Sequence, residues 1–315
     1  MKKLLVLVLA LLAVSLQAQV YNRAPLTKSP YAELPLGAIR PAGWLQEQLQ
    51  RQASGLTGHL DEVYPQVMGP SNAWLGGDGD AWERGPYWID GLLPLAYILQ
   101  DKALIDKANH WVEAILASQQ ENGYLGPATD HPFVYGLQRG QTHDWWPKMV
   151  ALKILKQYYM ATDDERVLSC LQRYFAYQAA QLEQTPLDHW TDWGRWRGAD
   201  NLEVVYWLYN ITGDAALLQL GEQLHSQTID WTALFLDGGV FSRQGSVHCV
   251  NLGRDSRLRP CGGSTPMTAG IWKPWTRLWK PSGTRWGFLP AFGRETSSCT
   301  LVSPRAAANC ARRWR

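Results

Sequence analysis

The sequence has little that indicates a membrane-spanning segment or a metal-binding site. One long uncharged run, residues 4–16, stands near the start, and no later segment approaches the roughly 20 apolar residues of a membrane-spanning helix. The five cysteines form no CxxC or comparable metal-binding pattern, and their odd number argues against a complete set of disulfides. Strand-like alternation is scarce and is confined to about residues 239–250.

The first residues are typical of a secretory signal peptide. Lys2 and Lys3 precede the uncharged run, and Leu16-Gln17-Ala18 resembles a cleavage site with a small last residue. A membrane anchor is the alternative interpretation, but the run has only 13 residues, fewer than the roughly 20 that a span needs. We therefore assign residues 1–18 to a cleaved signal peptide. The mature protein is expected in the periplasm or outside the cell, with no membrane segment after cleavage.

Phenylalanine is scarce, whereas tryptophan is abundant. The chain has 6 Phe and 17 Trp. A plain hydrophobic core favours Leu and Phe, because a buried indole N–H needs a hydrogen-bond partner. In an exported protein, an excess of Trp favours sugar recognition, where the ring face stacks on the sugar and the polar edge stays in water. Helical repeat cores that use Trp are the alternative.

Acidic residues almost disappear from the last part of the chain. Residues 253–315 hold 12 Lys and Arg against two acidic residues, while the part before them is acidic. A basic tail of this kind would ordinarily indicate a nucleic-acid-binding arm. Export argues against nucleic acid as a partner. A genuine basic tail that docks to an anionic surface or polysaccharide remains an alternative.

Between residues 86 and 230 the apolar residues recur at helical spacing in pairs of segments. The turns within the pairs carry aspartates that can accept from the free N–H groups of the following helix, at Asp101, Asp164 and Asp214. Gly213 suits the left-handed residue that ends a helix. Since one pair cannot bury its apolar face alone, the pairs must stack. The prediction is an all-α fold, an incomplete (α/α)6-type toroid of helix hairpins over residues 19–252, with an open solenoid as the alternative.

Three segments that open these hairpins combine tryptophan with charged residues. They are residues 82–91, 142–147 and 192–200, and in a toroid they would converge on one end. Aromatic walls with a few polar groups are what a sugar cleft requires. The candidate substrate-binding residues from these openings are Trp82, Tyr87, Asp90, His143, Asp144, Trp145, Trp196 and Asp200.

Each candidate also has a structural interpretation. Asp90 and Asp144 could cap helices, His143 could be a hydrogen-bonded structural histidine, and Glu203, on an apolar helix, could form a buried salt bridge. Glycoside hydrolysis ordinarily uses two carboxylates that flank the bond. No spacing singles out one such pair here, so the catalytic residues are unknown.

The openings resemble glycoside hydrolase family 127, the β-L-arabinofuranosidase family, over about residues 30–251. The shared motifs are Glu83-Arg84-Gly85-Pro86-Tyr87-Trp88-Ile89-Asp90-Gly91, the helix after His143, residues 201–214, and Val247-His248 with Val250-Asn251. The resemblance implies an (α/α)6 barrel followed by β-rich domains, and activity on non-reducing-end furanosides of plant glycans. It implies substrate contacts for His143 and His248, and for Asp200 less directly. It also implies a zinc-bound cysteine nucleophile and a glutamate acid/base in full-length members.

The resemblance stops at about Gly253. Reading residues 272–281 one base out of frame permits LEAVDxALEA, and residues 294–315 permit GDELLHxGEPTRGSELCTAVE, which look like the family's helix, Glu and Glu-x-Cys segments. We therefore interpret residues 253–315 as an irregular, non-native tail produced by a frameshift. This chain would then be a truncated, inactive form without zinc or another cofactor. The alternative function is a non-catalytic exported protein that binds an oligo- or polysaccharide.

Overall fold

A computed structural model describes residues 20–28, 32–231 and 251. Nine α-helices lie within these residues. They are α1 (Gly43–Ser54), α2 (Leu56–Val63), α3 (Arg84–Leu99), α4 (Lys102–Ala117), α5 (Trp145–Thr162), α6 (Glu165–Gln181), α7 (Asp192–Trp196), α8 (Gly198–Thr212) and α9 (Ala215–Gln227). A short 3₁₀ turn covers Ala73–Leu75. The predicted signal peptide, the strand-like residues 239–250, His248 and the basic tail all lie outside the described residues.

Three helical hairpins repeat the same two-residue turn. The helices α3, α5 and α8 each end at a residue with positive φ, namely Gln100, Asp163 and Gly213. The next residue is an aspartate whose side chain accepts from a backbone N–H in the first turn of the following helix, at Asp101, Asp164 and Asp214. The predicted aspartate caps and the left-handed Gly213 are therefore confirmed.

The hairpins form two layers. The helices α3, α5 and α8 pack side by side as an inner row, and α4, α6 and α9 pack against them from outside. The inner helices α5 and α8 are buried over most of their surface, whereas α4 and α6 bury mainly one face. This difference follows from position, because an inner helix has neighbours on several sides and an outer helix faces solvent. The described helices therefore confirm the predicted all-α fold, and their two layers form the wall of an (α/α)6-type toroid.

The segment before α1 crosses the far end of this wall. The backbone N–H of Arg23 donates to Asn210 Oδ1 at 2.9 Å, and the Tyr209 hydroxyl donates to the carbonyl of Ala24. Further along, the N–H of Leu36 donates to the Met160 carbonyl at 3.3 Å. These contacts lie at the C-terminal ends of α5 and α8. The segment thus covers the end opposite the helix openings.

Within the part of the chain that the structure describes, extended structure is limited to one isolated bridge between Val20 and Glu33. The same residues include no helix that is both long and apolar enough to cross a bilayer.

The buried inner row should dominate stability. Leu92 on α3 is fully buried, and Leu56 on α2 is 65% exposed. Leu92→Ala is expected to lower the free energy of unfolding by about 2–5 kcal/mol, because it removes buried methyl groups and leaves a cavity. The matched control, Leu56→Ala, should change it by no more than about 0.5 kcal/mol. Urea unfolding followed by circular dichroism measures both, and equal midpoints would contradict the two-layer description.

Candidate functional site

The openings of the three hairpins meet at one end of the fold. Trp82 precedes α3, Asp144 precedes α5, and Thr191 precedes α7 and α8. Asp144 Oδ2 accepts from Trp82 Nε1 at 3.1 Å and from Thr191 Oγ1 at 2.8 Å, so one carboxylate joins all three openings. The convergence expected from the repeated layout is therefore present in the structure.

At this end lies a group of five residues that we call the mouth cluster. Its members are Glu83, Tyr87, Trp146, Trp193 and Arg197. They come from the first turns of α3 and α5 and from the α7–α8 segment. The cluster therefore depends on the packing of the whole inner row.

Arg197 is the centre of the mouth cluster. Its guanidinium carbon lies 4.3 Å from the Trp146 ring centroid and 4.2 Å from that of Trp193, so the charge is held between two aromatic faces. Nη1 donates to Glu83 Oε2 at 3.1 Å and to the Tyr87 hydroxyl at 3.0 Å. The residue is only 5% exposed. A guanidinium this deeply buried requires such partners, and they fix its position.

Two further hydrogen bonds complete the arrangement. Nε of Arg197 donates to Asn251 Oδ1 at 3.0 Å, which brings a residue from beyond α9 to the cluster. The indole N–H of Trp146 donates to Glu83 Oε2. Glu83 thus accepts from both a guanidinium and an indole, yet its side chain is still 21% exposed. The mouth therefore offers a carboxylate, a phenol and partly exposed aromatic rings, which suit the hydroxyls and apolar faces of a sugar.

Asp144 and Trp145 lie beneath the mouth and not on its surface. Asp144 is fully buried, caps α5 by accepting from Trp146 N at 3.0 Å, and has its pKa raised by burial against the opposing hydrogen bonds. Trp145 is 2% exposed and donates to the Thr185 carbonyl at 2.9 Å. Both were predicted to contact substrate. In this structure their side chains support the mouth from below, so the structural interpretation of Asp144 as a helix cap is the one observed.

Asp90 is neither a helix cap nor part of the mouth cluster. It lies inside α3, seven residues after Glu83, which corresponds to about 10 Å along a helix. Its carboxylate accepts from Lys153 Nζ and Gln157 Nε2 of α5, each at 2.8 Å. Asp90 therefore links two inner helices below the mouth, and the capping role considered from the sequence is wrong.

Asp200 and Glu203 are also interior residues of the wall. Asp200 lies in the first turn of α8 and is 1% exposed. Glu203 accepts from Lys156 Nζ at 2.7 Å, and Lys156 also pairs with Glu33 at 2.7 Å. The salt bridge considered for Glu203 is therefore present, with a buried Lys156 and a Glu203 side chain that is 17% exposed. In the described structure, Asp200 offers almost no surface to a ligand.

Three predicted residues keep exposed surface near the openings. Trp82 and Trp196 are partly buried, and Trp196 packs against Trp231 with ring centroids 5.7 Å apart. His143 is exposed, with its ring 5.1 Å from that of Tyr124 and stacked at 6.3 Å on that of Trp190. Their role as substrate contacts stays a prediction, as does that of Tyr87 in the cluster.

Lys148 holds the segment that carries His143, and the sequence did not indicate it. Lys148 is 1% exposed, and its Nζ lies 5.1 Å from the Trp74 ring centroid and 4.9 Å from that of Tyr124. Nζ donates to the carbonyl of Thr142, which also accepts from the Tyr124 hydroxyl at 3.1 Å. The only sequence signal was a lysine within the apolar start of α5.

Asp130 also fixes Thr142, from the side opposite to Lys148. Its Oδ1 accepts from both the backbone N–H and the hydroxyl of Thr142, each at 2.8 Å. Thr142 is thus fixed through its carbonyl, its N–H and its side chain. Because His143 is the next residue, this arrangement sets where the exposed imidazole leaves the backbone.

The described residues do not provide a metal site. No three His, Cys, Asp or Glu side chains among them come together as a ligand set. Cys170 is buried on α6, and burial raises the pKa of its thiol to about 11, so it stays protonated. The zinc implied by the family resemblance does not fit the residues described.

A family comparison decides the relationship that the openings suggested. The family model described as "Beta-L-arabinofuranosidase, GH127 catalytic domain" matches residues 26–237. The chain belongs to glycoside hydrolase family 127. The matched range contains all three hairpins and every residue of the mouth cluster. No curated protein and no solved structure matches the chain.

Membership of family 127 makes the protein glycoside hydrolase-like and implies a carbohydrate ligand. Glu83, Trp146, Trp193 and Arg197 of this family-127 domain were missed as candidates, although all four stand within or beside the openings singled out from the sequence. Their charged residues and tryptophans identified the three openings as candidate segments. This pattern did not show which side chains would pair across them.

The buried Lys148 generates a pH prediction. Burial lowers its pKa to about 7, against the attraction of Asp144 and Asp130. An unfolded lysine titrates near pH 10.4, so between about pH 7 and 10 the unfolded chain binds more protons, and the unfolding free energy should rise with pH. Lys148→Met keeps the aromatic packing and removes this titration. Its stability relative to the wild type should therefore fall by on the order of 3 kcal/mol over that range.

Chemical denaturation at a series of pH values measures this difference. The matched control is Lys102→Met, at the exposed lysine that begins α4. A pH slope lost equally in both variants would contradict its assignment to Lys148.

Proposed function

We propose that this protein recognises non-reducing-end sugars of plant polysaccharides, β-L-arabinofuranosides or related residues, at the mouth cluster. The observation that supports the proposal most is the Arg197 arrangement, which holds a carboxylate, a phenol and two indoles from three hairpins at one end of the wall. Glu83 and Tyr87 would bind sugar hydroxyls, and partly exposed rings such as Trp82 and Trp193 would stack on the sugar. His143 and His248 remain candidates for additional contacts.

We further propose that the full-length gene product is an exported hydrolase. This chain would be a truncated form without turnover. The support is the family match together with the family-like Glu and Glu-x-Cys segments in the shifted frame of residues 294–315. The signal-like residues 1–18 support a periplasmic or secreted location. Export argues against nucleic acid as a partner.

Restoring the reading frame near codon 253 tests the catalytic part of the proposal. The restored protein is expected to release pentose from β-L-arabinofuranoside-containing glycans, and the printed chain is expected to bind them without release. Product is measured by chromatography of the released sugars. No turnover by the restored protein on any glycan would remove the hydrolase proposal, and retention on glycan gels without hydrolysis would favour the non-catalytic binding protein.

A pair of tryptophan variants tests the location of the sugar site. Trp193→Ala removes one ring face at the mouth and should weaken binding of a terminal-arabinofuranosyl oligosaccharide by about tenfold or more, since an aromatic contact contributes on the order of 1 kcal/mol beyond buried area. The matched control is Trp44→Ala, at a ring that is 77% exposed on α1. Isothermal titration calorimetry measures both affinities.

A second mouth variant distinguishes a lost sugar contact from a folding defect in Trp193→Ala. Tyr87→Phe removes only the hydroxyl that accepts from Arg197 and should also weaken binding, with an unchanged circular dichroism spectrum. Unaltered affinity in both mouth variants would place the sugar elsewhere.

A further inference from the structure

A loop beside the mouth carries two exposed aromatic rings. Residues 131–139 connect the hairpins and are closed on themselves by hydrogen bonds from His131 N to the Arg139 carbonyl and from Leu137 N to the Val134 carbonyl, each at 3.0 Å. At the tip, Phe133 is 83% exposed and Tyr135 is 93% exposed. We call this segment the rim loop.

The base of the rim loop is fixed to the segment that opens α3. Asp80, which is fully buried, accepts from Gln138 N at 2.9 Å and forms an ion pair with Arg84. Ala81 N donates to the Gln138 carbonyl at 2.7 Å, and Arg84 Nη2 donates to the Gly136 carbonyl at 2.8 Å. The loop is therefore anchored to the fold through Gly136 and Gln138, which follow Tyr135.

These anchors place the rim loop next to the mouth cluster. Its base bonds to Asp80, Ala81 and Arg84, which enclose Trp82 and Glu83 in the chain. The same end of the loop leads from Arg139 within four residues to His143, at the second opening. The rim loop thus leaves the fold beside the segment that carries Trp82 and Glu83.

The fold gains little from these rings, because they are mostly in water. Two aromatic side chains this exposed on an anchored loop are available to stack on a ligand. The chemistry favours a neutral polysaccharide. Both residues are flat rings that stack on the apolar face of a sugar, Tyr135 adds a hydroxyl, and the nearby Arg139 charge is paired with Asp78 at 3.4 Å.

We propose that Phe133 and Tyr135 form a second contact for the polysaccharide chain that continues from the sugar held in the mouth. This inference rests on the proposed function, since it extends the same site along the polymer. It makes a polymer a better ligand than a short oligosaccharide with the same terminal sugar.

Binding by the full chain tests the inference. The double variant Phe133→Ala/Tyr135→Ala is compared with the wild type in affinity gels containing a neutral arabinofuranosyl-substituted plant polysaccharide. Calorimetry with a short oligosaccharide of the same terminal sugar is run in parallel. We expect retention by the polymer to weaken about tenfold and affinity for the oligosaccharide to change less than twofold. Trp44→Ala, at an exposed ring outside the loop, should change neither.

The outcomes separate this inference from the proposed function. Wild-type protein that binds neither ligand would remove the proposed function and the inference with it. Wild-type protein that binds both, with unchanged polymer retention in the double variant, would overturn the inference alone. Equal loss of polymer and oligosaccharide binding would also overturn it, since the rings would then serve the terminal sugar. Conversion of a dimer to a monomer by the double variant, seen by sedimentation, would assign the rings to self-association instead.

Discussion

Arg197 imposes the condition on which the mouth depends. A guanidinium that is 5% exposed is stable only where its charge and its N–H groups find partners, and here these come from three separate hairpins. Trp146 and Trp193 cover its two faces, while Glu83 supplies the opposing charge. The interaction is therefore a joint between the three hairpins, at the place where we propose the sugar site. If α3, α5 or α8 shifted, the same movement would expose the charge and open the mouth.

Other buried charges surround this joint in a layer beneath the mouth. Asp144 forms hydrogen bonds with the other two openings, and Asp80 forms one with the loop at residues 131–139. Lys148 lies between two aromatic rings and donates to the Thr142 carbonyl. Each is nearly or fully inaccessible to water and is satisfied by hydrogen bonds. Such groups contribute little net stability but determine a single geometry, because any other arrangement leaves a buried charge without a partner. The proposed sugar contacts thus rest on a rigid base although they lie on connecting segments.

The sequence predicted the fold where local rules suffice. The hairpins followed from helical spacing, and Asp101, Asp164 and Asp214 were identified as caps because capping involves neighbours in the chain. The site was predicted only as segments. Asp144 and Trp145 were predicted to contact substrate, yet both are buried beneath the mouth, with Asp144 as the cap of α5. Arg197 and Glu83 are 114 positions apart, and no local pattern reveals such a pairing.

The closure at the far end has a consequence for the order of assembly. The backbone N–H of Arg23 donates to Asn210, 187 positions away, so this part of the early segment cannot dock until the third hairpin has been synthesised. Contacts of such long range are formed late, because the intervening chain must first lose its freedom. The α3–α4 and α5–α6 hairpins can pair while the segment near Arg23 is still undocked. The end of the wall opposite the helix openings is thus completed last, by a segment that is synthesised early.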